Sequence, residues 1–220
     1  TAVFLATEVS GALVGAKRDD DAEKVLNSAV SDLRKVKPVS EKEQNEYTKG
    51  SIELAHEAEN LENKSLYTSL YSELESTFEK MKESGVALDN SSRTELRYDL
   101  MNHYADTKNA EKMDPIVKEY IASAEKRRAD LAATPGRQPA MDYIFEKSAE
   151  MMMSVRQPEK ALEYYKKAME SLKDKDDVVM EGQDIAARMI PLCLKLNKEA
   201  EAKALATQYQ LEGLLKRRGP

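Results

Sequence analysis

The chain has 220 residues, with 34 Lys and Arg against 40 Asp and Glu, a formal net charge of −6, no Trp, 8 Gly and 7 Pro. It is long enough to bury a real core, and so few helix breakers among abundant Ala, Leu, Lys, Glu and Met favour helix throughout. The acidic balance argues against a nucleic-acid binder, the single cysteine excludes a disulfide framework or cysteine-based zinc site, and no stretch reaches the roughly 20 apolar residues of a membrane helix.

The first element is "TAVFLATEVSGALVGA" (1–16). Ala2, Leu5, Ala6, Val9, Ala12, Leu13 and Ala16 recur at helical spacing, which predicts a helix packed along that stripe. Glu8 in its middle and the lack of a basic start argue against a secretory leader. A chain that opens on Thr reads as a processed product or an excised fragment. "SGALVGAK" (10–17) echoes a phosphate loop only superficially, lacking the span and the following Ser or Thr. A short polar break leads into a second amphipathic stretch, "DDDAEKVLNSAV" (19–30).

After the turn-rich "VKPVSEKEQ" (36–44) come "NEYTKGSIELAHEAEN" (45–60) and "LENKSLYTSLYSELESTFEKM" (61–81), again two helices with a short break. Glu53 and His56 have the Glu-x-x-His spacing of di-iron bundle sites, but such a site needs a second copy. The other histidine, His103, has Leu100 three residues before it, so His56 reads as exposed helix surface and no metal or cofactor is expected. "FEKMKESGVALDNSS" (78–92) resembles the helix end and turn of a pentatricopeptide unit, which would imply RNA binding. Leu88 in place of the proline, and the acidic chain, weigh against that.

The third pair centres on "TKNAEKMDPIVKEY" (107–120), and "AATPGRQP" (132–139) separates it from the fourth, which contains "VRQPEKALEYYKKA" (155–168). "KDKDDVV" (173–179) precedes the fifth pair, where Pro191 in "IAARMIPLCLKL" should kink the first helix and "KLNKEAEAKALATQY" (195–209) supplies the second. Cys193 lies in an apolar run and reads as a small buried hydrophobe. The breaks near 20, 62, 108, 156 and 196 stand roughly 40–48 residues apart. A recurring unit with breaks this short forces antiparallel neighbours, so the expected hairpins are approximately 1–36, 44–83, 92–130, 139–173 and 179–217 of a single helical-repeat domain.

Around "QPEKALEYYKKAMES" the sequence resembles a tetratricopeptide repeat: Ala161, Tyr165 and Ala168 fill the small, aromatic, small places of the second helix. Phe145 falls on the first helix's large aromatic place and Ala149 on its small one. Met152, Ser148 and Lys173 depart from the family's tyrosine, leucine and proline. Ser10, Ala22, Leu26 and Ala29 keep the pattern in the first hairpin. In the third, Leu100 and Tyr104 match but Met113 replaces an alanine. The resemblance implies an all-α, right-handed solenoid of about five antiparallel hairpins, divergent and long in its helices.

No nucleophile-and-base set or phosphate loop is recognisable, so the chain reads as a non-enzymatic interaction or scaffold subunit. The alternatives are a helical-bundle metal protein or enzyme, or a pentatricopeptide-like RNA binder. Some tetratricopeptide domains clamp a partner's terminal carboxylate with Lys, Arg and Asn on their first helices. Here those places hold Glu95, Tyr98, Asp99 and Asn102 in the third hairpin, and Glu146 and Glu150 in the fourth. With Glu57 and Asp106 they imply an acidic concave surface for a basic or apolar protein partner, alone or within a larger assembly. The partner-contacting candidates are Tyr98, Asp99, Asn102, Asp106, Glu146 and Glu150. No nucleic acid and no membrane span are expected, and a soluble protein of the cytoplasm or an organelle interior is favoured.

Overall fold

The computed structural model describes residues 2–172 and 178–216. Within them the secondary structure is entirely helical: α1 (Ala2–Gly15), α2 (Asp19–Leu33), α3 (Glu41–Asn60), α4 (Lys64–Glu83), α5 (Ser91–Asp106), α6 (Ala110–Asp130), α7 (Met141–Ser154), α8 (Pro158–Leu172), α9 (Val178–Lys195) and α10 (Glu199–Gln208), with short 3-10 turns at Pro135–Arg137 and Glu212–Lys216. The break expected at 173–179 falls mostly outside the described residues, as do Lys173 and residues 217–220.

Five connections, those after α1, α3, α5, α7 and α9, are three residues long, and each has the same local build. The middle residue is left-handed every time: Lys17 (φ 59°), Glu62 (54°), Lys108 (57°), Arg156 (60°) and Asn197 (58°). The residue after it donates its N–H to the carbonyl five positions back, as Arg18 does to Leu13 and Gln157 to Met152. This is the six-to-one bond of a Schellman helix end, which stops one helix and lets the next turn back. The next helix then begins on a cap where one is present: Asn63 accepts from Leu66 N–H (3.0 Å) and Asn109 from Lys112 N–H (3.2 Å). Between hairpins the endings differ. Gly85 (φ 71°) terminates the segment after α4, and Ser40 with Glu43 forms a full capping box at α3.

The chain divides into two compact units, Thr1–Leu100 and Met101–Pro220. In the first, α1 packs on α2 and α3, α2 on α3, and α3 on α4. Ser10, Ala22 and Leu26 are fully buried where α1 and α2 meet. Gly50 lets α1 come close to α3, since a Cβ there would lie 3.3 Å from Val3 Cγ2. In the second unit α6 packs on α7, α7 on α8, α8 on α9, and α9 on α10. Ala149, Met152, Ala161 and Ala168 are fully buried, and Tyr165 fills space beside them. Met152 belongs to this core. α9 continues through Pro191, and Cys193 is buried, its thiol pushed up to about 11 by burial.

The phase of α1 differs from the periodicity expectation. Leu5 is 64% and Val9 48% exposed, and Ala12 and Ala16 face solvent, while Ser10 is fully buried. The apolar stripe therefore points outward. The physical reason is that α1 is apolar nearly all round, so apolar spacing alone does not choose a face. Close approach to α2 favours a small side chain at the contact, and Ser10 provides it.

Candidate interaction surface

α5 carries four of the six sequence candidates. Leu96, Leu100 and Tyr104 are buried and anchor the helix, which leaves Tyr98, Asn102 and Asp106 exposed at four-residue spacing, one above another on a single face. Asp99, one residue round the helix, is not on that surface. It is 6% exposed, and its Oδ1 lies 2.6 Å from Nε2 of His56 on α3. The hydrogen bond to Asp99 raises the His56 pKa against the opposing effect of burial, with Glu59 and Glu53 adding to the rise. Tyr71 of α4 sits beside the same carboxylate, and burial followed by the charge of Asp99 raises its pKa. Asp99 thus joins α3, α4 and α5 rather than offering a solvated charge. His56, half exposed, is more than helix surface, because its ring nitrogen has a partner 43 residues away.

Two arginines of α5 hold the preceding turn. Arg93 donates to the Val86 carbonyl and Arg97 to the Leu88 carbonyl (3.2 Å), so the segment resembling a pentatricopeptide turn is used here as a backbone anchor.

On α7, Glu146 and Glu150 are half-buried and both bind Arg188 of α9, at 3.0 Å for Glu146 and in a shorter contact for Glu150. Lys147 adds a third contact, 2.6 Å from Glu150. Burial works to raise the Glu150 pKa, but hydrogen bonds from Lys147 and Arg188 outweigh it and hold the carboxyl below its ordinary value. These two glutamates cross-link neighbouring first helices, and their charge is largely matched. Arg188 was not singled out from sequence, since a lone arginine 38 positions away carries no spacing signal. Glu57 is half-buried on α3.

Among the described residues no group of three or more His, Cys, Asp or Glu is placed to hold a metal ion, and no helix is long and apolar enough to cross a membrane.

No protein-family model and no curated protein matches the sequence. Solved structures do resemble the fold. BtubC (BKLC) from P. vanneervenii matches at a TM-score of 0.52 with 11% identity, covering 98% of this chain and 81% of that one. A Podosopora anserina protein, described as a putative kinesin light chain with nearly identical TPR-like repeats, matches at 0.54 with 14% identity, covering 100% and 99%. With the repeating three-residue Schellman turns, these likenesses define the class: an all-α tetratricopeptide-like helical-repeat protein. At such identities they speak for the fold alone.

Proposed function

We propose that the chain is a non-enzymatic scaffold that holds a protein partner on the exposed faces of the first helices of its hairpins. The observation that carries this is the α5 face, where Tyr98, Asn102 and Asp106 stand exposed on a helix anchored by Leu96, Leu100 and Tyr104. An anchored helix presents side chains at little ordering cost, and a tyrosine beside an amide and a carboxylate is a favourable contact set. Glu146 and Glu150 add acidic residues on α7, another first helix, although Arg188 offsets much of their charge. A partner with basic and apolar contacts fits best, and its capture should weaken as salt rises. Affinity capture followed by mass spectrometry tests the proposal, comparing the natural chain with a Tyr98→Ala, Asp106→Lys variant. Loss of a stoichiometric partner with an unchanged helical spectrum supports it. Retention of the same partners by the variant, at low salt, rejects the α5 face.

A further inference from the structure

A second surface, in the first unit and independent of the α5 face, has the character of a docking groove. α1, α2 and α3 enclose an open cavity of about 770 Å³. Its apolar lining comes from Val3 and Phe4 of α1, Val25, Ala29 and Leu33 of α2, and Val36 just beyond α2. Phe4 is 55% exposed and Val36 50%, so large apolar side chains of this groove meet water. Scattered exposed hydrophobics are ordinary, but a contiguous set lining a concavity marks a binding surface.

The remaining wall decides what would bind. Glu43, Glu46, Gly50 and Glu53 of α3 all line the groove, spaced three, four and three residues apart, which places them along one helix face. At 1.5 Å per residue that edge is about 15 Å long. Asp32 of α2 adds a fourth carboxylate, and the basic residue of the lining is Lys49, 3.9 Å from Glu95. Glu43 is held in place because its carboxylate accepts from the Val39 (2.8 Å) and Ser40 (3.2 Å) N–H groups. Lys35 pairs with Asp32 at 2.7 Å and Lys42 reaches Glu46 at 3.9 Å, so the excess of carboxylate along this edge rests chiefly on Glu43 and Glu53, and it disfavours anionic lipid headgroups and acidic peptides. Glu46 and Glu53 are exposed and reach solvent from the groove edge.

We propose that this groove docks an amphipathic helix of a protein partner, apolar along one face and carrying Lys or Arg along the flank that meets α3. Three turns of helix match the 15 Å carboxylate edge within about 1 Å of length. The apolar face enters between Phe4, Val25 and Val36 while cations at three- and four-residue spacing pair with Glu46 and Glu53. This is the helix-in-groove mode, in which apolar anchors supply affinity and the charged edge sets orientation and partner choice.

The probe is a labelled 14-residue helical peptide with leucines along one face and lysines along the other, with a glutamate-for-lysine counterpart. Anisotropy titrations would use the full chain, Phe4→Ser, the double variant Glu46→Lys, Glu53→Lys, and a control double variant Glu163→Lys, Glu170→Lys, whose two positions are exposed on α8. Phe4→Ser and the double reversal on α3 should each weaken lysine-peptide binding by on the order of tenfold, the effect expected of an anchor or a matched charge edge. The α8 control should bind as the natural chain does, the glutamate peptide should not bind, and methyl NMR shifts on titration should centre on Val25, Leu33 and Val36. The proposal is overturned if the α8 control loses as much affinity as the α3 reversal, because diffuse charge then explains binding. It is also overturned if Phe4→Ser binds unchanged, or if sedimentation shows a second copy of the chain filling the groove and excluding the peptide.

Discussion

At the scale of single residues, the five hairpin turns all place a non-glycine residue in the left-handed region. A side chain with a Cβ costs about 1–2 kcal/mol there, while introducing glycine costs about 0.4–1 kcal/mol through the freer unfolded chain. Arg156 is exposed, so Arg156→Gly should raise stability by the difference, up to about 1.6 kcal/mol, as read by urea denaturation. A loss of stability would mean that the arginine side chain contributes a contact beyond its backbone. The His56–Asp99 pair gives a pH signature with a definite sign. The His56 pKa is raised in the folded state, so its contribution is complete below the unfolded value of about 6.5 and disappears as pH rises through the folded value. An NMR titration of the His56 ring should therefore show a midpoint above the ordinary histidine value, which Asp99→Asn returns toward normal. An unshifted midpoint in the natural chain would remove the pair from the account of how α3 meets α5.

At the scale of elements, the small residues of α7 and α8 set how closely that hairpin closes. Ala149, Ala161 and Ala168 are fully buried. Ala161→Leu should destabilise by about 1–3 kcal/mol through overpacking, measured by chemical denaturation. A neutral result would place Ala161 away from the helix contact and undo the tetratricopeptide register of this hairpin. The same logic explains α1. Its apolar spacing favoured a stripe through Leu5 and Val9, whereas the small-residue pattern marked Ser10, and the packed face follows Ser10.

For the whole molecule, far-ultraviolet circular dichroism should be dominated by helix, with strand content below roughly a tenth, well under the share in an ordinary globular protein. A larger strand signal would contradict the repeat architecture. The recurrence of one turn geometry at 17, 62, 108, 156 and 197 is the molecular form of the period visible in the sequence. In a repeat architecture each hairpin alone buries too little and a neighbour completes its core, which is why the period can persist while individual residues diverge.

Local rules account for what the sequence determined by itself: helical content, the number and place of the short breaks, and the small, aromatic, small pattern around Ala161, Tyr165 and Ala168. Helix periodicity, turn chemistry and close-packing positions act over a few residues, so they are written contiguously along the chain. The candidate site was legible only in part, since spacing put Tyr98, Asn102 and Asp106 on one face of α5. Tertiary structure decided which carboxylates are available. It gave Asp99 to His56 and Glu146 with Glu150 to Arg188, turned Leu5 and Val9 outward, and left a groove between α1, α2 and α3. The charge pairs join residues about 40 positions apart, and a charge on an amphipathic helix carries no local mark of whether it will meet water or an opposite charge.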